Sequence, residues 1–175
     1  TDRAFGNADT LATSYSILSA ADTQDKFDMI FCGKESLDGA TGQMGAQLAQ
    51  RFGTAQVTGA LLIKEVNEEA KTAVVERELE DGVEVLEVKL PCLFTMEKIN
   101  YPARIPNLKG KLAAKKAVIT TITADDIPKL DRGRIGDPGS PTKVPRMFPP
   151  VMPEPGIIID EGSVEASVKK LMQLI

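Results

Sequence analysis

The run from Lys26 to Cys32, with the glycine-bearing loop after it, constrains the fold of this chain more than any other feature. Phe27, Met29, Ile30, Phe31 and Cys32 leave little room for an exposed face, so the run predicts a parallel β-strand covered on both sides. The chain then passes through the loop Gly33-Lys34-Glu35-Ser36-Leu37-Asp38-Gly39-Ala40. A helix is predicted from Thr41 to Phe52, with Met44, Leu48 and Phe52 on one face and Gly53 just past its end. Upstream, Asp9 or Thr10 is placed to cap a helix through Leu11, Ala12, Tyr15, Leu18 and Ala21. Helix, strand, glycine-bearing loop and helix in succession predict half of a doubly wound α/β sheet, mostly parallel.

Val57 to Val66 and Thr72 to Leu79 read as strands, and Asp81-Gly82 before the Val83 to Val88 run predicts an antiparallel hairpin. Glu65 to Glu69 reads as a solvated turn, and Cys92 to Met96 as a further apolar run. Pro102 and Pro106 make Asn100 to Asn107 a surface loop. Leu108 to Lys116 then predicts a short basic helix leading into Val118-Ile119-Thr120-Thr121-Ile122. Eight of the 11 prolines stand from Pro128 onward. Residues 131–175 therefore predict an extended arm, distinct from an α/β portion over residues 1–130. The arm ends in a stretch from Asp160 in which Val164, Val168, Leu171, Met172 and Ile175 form the buried stripe of an amphipathic helix. Such an arm buries too little apolar surface on itself to offset its ordering entropy, which implies a partner subunit.

Composition removes several classes of function. The 175 residues contain no His, no Trp and only two cysteines, Cys32 and Cys92, which excludes His-dependent acid–base chemistry and a Cys/His zinc site. Both cysteines sit in apolar runs and read as structural thiols, consistent with a reducing, cytoplasmic setting. A net charge of −4 argues against a surface built to neutralise nucleic-acid phosphate. The longest apolar runs fall far short of the roughly 20 residues of a membrane span. The chain opens on Thr1 rather than Met and reads as though cut from something longer.

Chemistry is most readily placed at Gly33 to Gly45. A glycine-rich loop at the carboxyl end of a strand, feeding a helix start, presents backbone N–H groups and the positive end of a helix dipole to an anion such as phosphate. Thr41 adds a hydroxyl, Gln43 an amide, and Asp38 either caps the helix or accepts from a ribose hydroxyl. The alternative is a plain strand–helix turn without ligand; no G-K-[ST] closes the loop into a P-loop. The small hydroxyl residues from Asp9 to Ser14 offer a second helix start at the same end of the sheet, where a flat ring would fit.

The run Phe31-Cys32-Gly33-Lys34-Glu35-Ser36-Leu37-Asp38-Gly39-Ala40-Thr41-Gly42-Gln43 resembles the G-K-x-x-x-D-x-x-T-G-Q signature of the beta subunit of electron transfer flavoproteins. Further matches occur in that family's order: Arg77-Glu78, Leu90-Pro91, Asn100 with Pro102 and Arg104, Pro106-Asn107, Ala113 to Lys116, and Gly139 to Val144. Asp2 to Ser14 is similar to the D-R-x-F-x-G-A-D-T-x-A-T-S stretch of the electron-bifurcating branch, with Asn7 where Gly is usual. The resemblance implies a Rossmann-like, adenine-nucleotide-binding domain that lacks the family's opening strands, and an arm that wraps an alpha subunit.

It also implies FAD in this subunit, with AMP as the alternative. Asp9, Thr10, Ala12 and Thr13 would contact ring and ribityl chain. Gly33, Lys34, Asp38, Gly39, Thr41, Gly42, Gln43 and Met44 would cradle the pyrophosphate. Phe5 would lie beside the nicotinamide of incoming NADH, and electrons would leave to ferredoxin or flavodoxin and, through the alpha subunit, to an acyl-CoA or related dehydrogenase. Docking onto that dehydrogenase falls, by the same resemblance, to Tyr101–Lys111, with Arg104, Ile105, Leu108, Lys109 and Lys111 as the recognition edge. A domain that senses ATP or AMP for regulation is the rival reading.

Overall fold

The computed structural model describes residues 3–98, 102–153 and 155–174. Asn100, Tyr101 and Ile175, which carry part of the sequence argument, lie outside the described residues, as does Asp2. The chain divides into two compact units, Thr1–Lys143 and Val144–Ile175. In the first, α1 (Thr10–Ala21) is followed by β1 (Met29–Gly33), α2 (Met44–Phe52), β2 (Ala55–Asn67), β3 (Thr72–Leu79), β4 (Gly82–Lys89), β5 (Cys92–Met96) and α3 (Leu108–Lys116). Short 3-10 turns stand at Arg3–Phe5 and Arg132–Arg134. The second unit holds one helix, α4 (Val164–Leu171), among its described residues.

The α/β class is as expected. Five strands form one sheet in the order β1-β5-β2-β3-β4. β5 pairs parallel with both β1 and β2, while β2–β3 and β3–β4 are antiparallel. The anticipated tight hairpin forms, its turn made by Glu80 and Asp81, with Leu79 opposite Gly82 at the start of β4. β2 serves both halves of the sheet, pairing with β5 and with β3, and it is bulged in both pairings. Gly59, at φ +68°, sits in one register shift, where a Cβ would lie 2.9 Å from the Glu78 carbonyl oxygen.

Two clusters form the core, one on each face. Leu48 and Ala49 of α2 pack with Leu93, backed by Ile30, Cys32, Met44 and Phe52. The other cluster, Val57, Ala60, Ala73, Val75, Cys92 and Phe94, is built from strands alone. Met29 of β1 and Leu86 and Val88 of β4 pack against it although their strands occupy opposite edges of the sheet, so the sheet coils over its own face. An ion pair between Lys71, in the β2–β3 turn, and Asp28 (3.4 Å) spans the same gap. Fully burying side chains such as Phe94 and Val75 contributes about 1.5–3 kcal/mol each.

Three expectations need correction. β1 is not covered on both sides: it is an edge strand, and Phe31, stacked on Phe94 with centroids 5.5 Å apart, remains 55% exposed. α2 begins at Met44 rather than Thr41, because Ala40 and Gly42 adopt positive φ (46° and 62°), which no helix accommodates. The stripe of α4 is not buried in this chain; Val164, Val168, Leu171 and Met172 are all exposed. Val118 and Ile119 lie in an extended, exposed stretch after α3, outside the sheet.

α2 lies unusually close to the sheet at one point. A Cβ at Gly45 would fall 2.1 Å from the Thr95 methyl, so only glycine fits there while Thr95 is present. Gly45→Ala is expected to destabilise the full-length protein by about 1–3 kcal/mol through overpacking. Adding Thr95→Ala is expected to recover most of that loss, measured as non-additivity of the urea midpoints of the two single variants and the double.

Candidate functional site

The start of α1 is tied to a distant loop through one carboxylate. One Asp9 carboxylate oxygen accepts from the amides of Leu11 and Ala12 (both 3.0 Å), and the other accepts from the amide of Thr142 (3.0 Å). Asp9's own amide donates to the Ser140 hydroxyl (2.8 Å), which in turn donates to the Gly136 carbonyl (2.7 Å). Partial burial by itself would raise the Asp9 carboxyl. The three amide donors outweigh it and hold the group below its ordinary value. Asn7, two residues earlier, stands at φ +56°, which explains why this position accepts Asn where Gly is usual: Asn tolerates the left-handed region better than other side chains.

A polar seam joins α1 to α2. Thr10 Oγ1 donates to Gln43 Oε1 (3.3 Å) and accepts from Gln47 Nε2 (3.1 Å); the Ser14 hydroxyl donates to Gln47 Oε1 and accepts from Arg51 Nε (both 2.9 Å). The seam fixes both helix starts at one end of the sheet, beside the carboxyl end of β1. There the glycine loop holds itself open. Asp38 does not cap α2; its carboxylate accepts from the amide of Gly39 (2.8 Å), and the Ser36 hydroxyl, more than that amide, holds its carboxyl below the usual range. Lys34 forms an ion pair with Glu97 (2.8 Å), whose carboxylate hydrogen bond raises the ammonium's pKa.

Asp9, Asn107 and Ser163 cap α1, α3 and α4 with their side chains, whereas Gln43 makes no such bond at the start of α2. The start of α2 thus lacks a side-chain cap, and its Gln43 and Met44 line a cleft of about 690 Å³. That size lies within the range of small-molecule sites. Asp9, Thr10, Thr13, Gly33, Lys34, Asp38, Gly39, Thr41, Gly42, Gln43 and Met44 all line it. Ala12 does not: it is 1% exposed, packed within the fold, and only its amide serves the site, through Asp9. Phe5 lines a separate apolar hollow of about 260 Å³ with Ile17, Ile122 and Ile127, and this hollow shares Ala8 and Thr13 with the cleft.

Arg104, Ile105, Leu108, Lys109 and Lys111 are all exposed, before or along α3, and none lines the cleft. Thr142, which does line it, and Ser140 were not assigned to the site from the sequence. Their only signal was the Gly139–Val144 motif, far along the chain. Cys32 also borders the cleft; burial pushes its thiol up, and burial pushes that of Cys92 to about 11. The described residues contain no cluster of three or more Cys, Asp or Glu suited to a metal, and no helix long and apolar enough to cross a membrane.

The donor set fits a nucleotide phosphate: an uncapped helix start, the Thr41 hydroxyl and a left-handed Gly42 whose missing side chain leaves the backbone approachable. Comparison with known proteins gives the family. The model of the electron transfer flavoprotein domain matches residues 1–127. The chain is 39% identical over 175 residues to the electron transfer flavoprotein subunit beta of Thermoanaerobacterium thermosaccharolyticum, covering 99% of this chain and 65% of that protein. It is 40% identical over 149 residues to the caffeyl-CoA reductase-Etf complex subunit CarD of Acetobacterium woodii (85% and 55% covered). It is 36% identical over 171 residues to the protein FixA of Bradyrhizobium diazoefficiens (95% and 59% covered). The chain thus spans somewhat under two thirds of the length of these relatives.

Asp9→Ala removes a helix cap and the acceptor for Thr142, and is expected to cost the full-length protein about 1–2 kcal/mol in urea unfolding at pH 7. Because folding depresses the Asp9 pKa below 3.8, its charge contributes stability above that pH and loses it as pH falls through the folded value. Asp9→Asn keeps a good cap without the charge, and is expected to flatten the acid limb of the stability curve below about pH 4 relative to wild type.

Proposed function

Because the chain belongs to the electron transfer flavoprotein family and its relatives include beta subunits of that family, we propose that it is a beta subunit that binds FAD in the cleft between α1 and α2. The observation that carries this reading is the uncapped start of α2 opening on that cleft beside the left-handed Gly42. Thr41, Gly42, Gln43 and Met44 would hold the diphosphate against the α2 amides, with Gly33, Lys34, Asp38 and Gly39 closing the loop side. Asp9, Thr10 and Thr13 would face the ribityl chain and ring, and Ala12 would act from behind as packing.

FAD supplies, when bound, acceptance of hydride from NADH and release of electrons in separate directions, to ferredoxin or flavodoxin and through the alpha-subunit flavin to a dehydrogenase. The chain's own contribution is positional. The Asp9–Ser140–Thr142 knot fixes the helix end nearest the ring, the Thr10–Gln43–Gln47 seam fixes the spacing of the two helix starts, and no His is present to exchange protons. The hollow lined by Phe5, Ile17 and Ile122 offers an apolar wall for a nicotinamide. The bifurcating reading draws on the likeness of Asp2 to Ser14 to that branch's stretch, and a relative named for a caffeyl-CoA reductase-Etf complex favours a CoA-ester reductase or dehydrogenase as the partner here.

The second unit would lie along the alpha subunit. Met147, Phe148, Val151 and Met152 are exposed apolar side chains within it, and they suit burial against a partner. Arg104, Ile105, Leu108, Lys109 and Lys111 form the proposed dehydrogenase edge. The heterodimer would work in the cytoplasm. The non-bifurcating reading has AMP in the same cleft and no NADH oxidation.

Flavin counting decides between them. The full-length heterodimer is expected to release two FAD per dimer, and Gly42→Val is expected to leave one, since a β-branched residue at φ +62° distorts the cradle and leaves the partner's site untouched. One flavin with one AMP per wild-type dimer would establish the AMP reading instead.

A further inference from the structure

Two guanidinium groups converge on one tyrosine ring on the far side of the Asp9 knot. Arg134 lies 4.1 Å from the centroid of Tyr15 and Arg51 lies 5.8 Å from it. Arg51 spends two of its five donors, on the Ser14 hydroxyl (2.9 Å) and the Leu11 carbonyl (3.1 Å). Neither arginine has a carboxylate within 4.0 Å among the described residues, whereas Arg77, Arg132 and four lysines each do. Asp131 and Asp137, the two acids nearest in sequence to Arg134, are turned instead to the Gly133 amide (2.9 Å) and the Lys143 ammonium (3.1 Å).

Both arginines line a hollow of about 360 Å³ with Leu11, Tyr15, Gly133 and Ser140. No acidic side chain lines it, and it shares no lining residue with the proposed nucleotide cleft. Two like charges held against one ring repel each other, and in a chain of net charge −4 this concentration of positive charge is local. The ring restrains both guanidinia by cation–π contact, so their remaining N–H donors are presented with little further loss of rotamer freedom.

We propose that this hollow binds a small dianionic phosphate group, either free or as the monoester end of a small metabolite. A charge of about −2 matches the two guanidinia, and a planar N–H fork suits two phosphate oxygens at once. The open side of the hollow leaves space for a substituent on the fourth oxygen. The hollow shares no lining residue with the cleft, although Arg51 and Ser140 also belong to the seam and knot that position it; Arg134, the residue tested below, belongs to neither.

The test is calorimetric titration of the full-length, cofactor-saturated protein with its partner subunit, using inorganic phosphate, ribose 5-phosphate and acetate at matched ionic strength. Phosphate is expected to bind saturably, and acetate at least about tenfold more weakly because it carries one charge. Arg134→Gln is expected to weaken phosphate about tenfold or more, and Arg134→Lys less than that, because a lysine keeps the charge but loses the fork. Flavin content is expected to stay unchanged in both variants, which shows that the protein remains folded. Tighter binding of ribose 5-phosphate than of phosphate identifies a monoester ligand, and the reverse identifies free phosphate; either supports the site. Absence of saturable binding by both up to about 10 mM, equal affinity in Arg134→Gln, or equal affinity for acetate overturns it.

Discussion

One carboxylate ties the beginning of the chain to residues more than 130 positions away. Asp9 is at once the cap of α1 and the acceptor for Thr142, while its amide is held by the buried Ser140 hydroxyl. Each bond alone is modest, about 0.5–1.5 kcal/mol in net terms, yet together they set where α1 begins and which way its first turn points. The seam to α2 depends on them, since Thr10 and Ser14 meet Gln43, Gln47 and Arg51 only when α1 enters at that angle. The cleft between the helix starts is a product of this tether as much as of the glycine loop.

The sheet supplies the other fixed reference. A single helix, α2, covers one face, and close approach at Gly45 seats it on β5. The opposite face is covered by the sheet's own coiling, made possible by the bulges of β2. A helix start held between a rigid strand end and a tethered neighbour is preorganised, and preorganised amides bind an anion without further ordering cost.

Much of this was legible in the sequence, and the reasons for the misses are physical. The β3–β4 hairpin announced itself through Asp81-Gly82, and the end of α2 through Gly53, because turn and cap chemistry are local. Of the two cap candidates, Asp9 and Thr10, the structure takes Asp9. The start of α2 was misplaced because apolar periodicity says nothing about the positive φ of Ala40 and Gly42. β1 looked doubly covered because a run of apolar residues reports hydrophobicity, not what lies beside the strand; Phe31 stacks on Phe94 at an edge. Ser140 and Thr142 escaped because their role is set by a contact across the whole domain, which no local pattern encodes. The residues expected around the nucleotide, apart from Ala12, did converge on one cleft, since they come from two adjacent segments that both open at the same sheet end.

Cys32 borders the same cleft, and burial raises its thiol's pKa above the ordinary value. Burial thus works against the thiolate, the form in which sulfur attacks an electrophile. On this wall the sulfur is held away from its reactive form, and it meets whatever fills the cleft as a small, soft apolar surface.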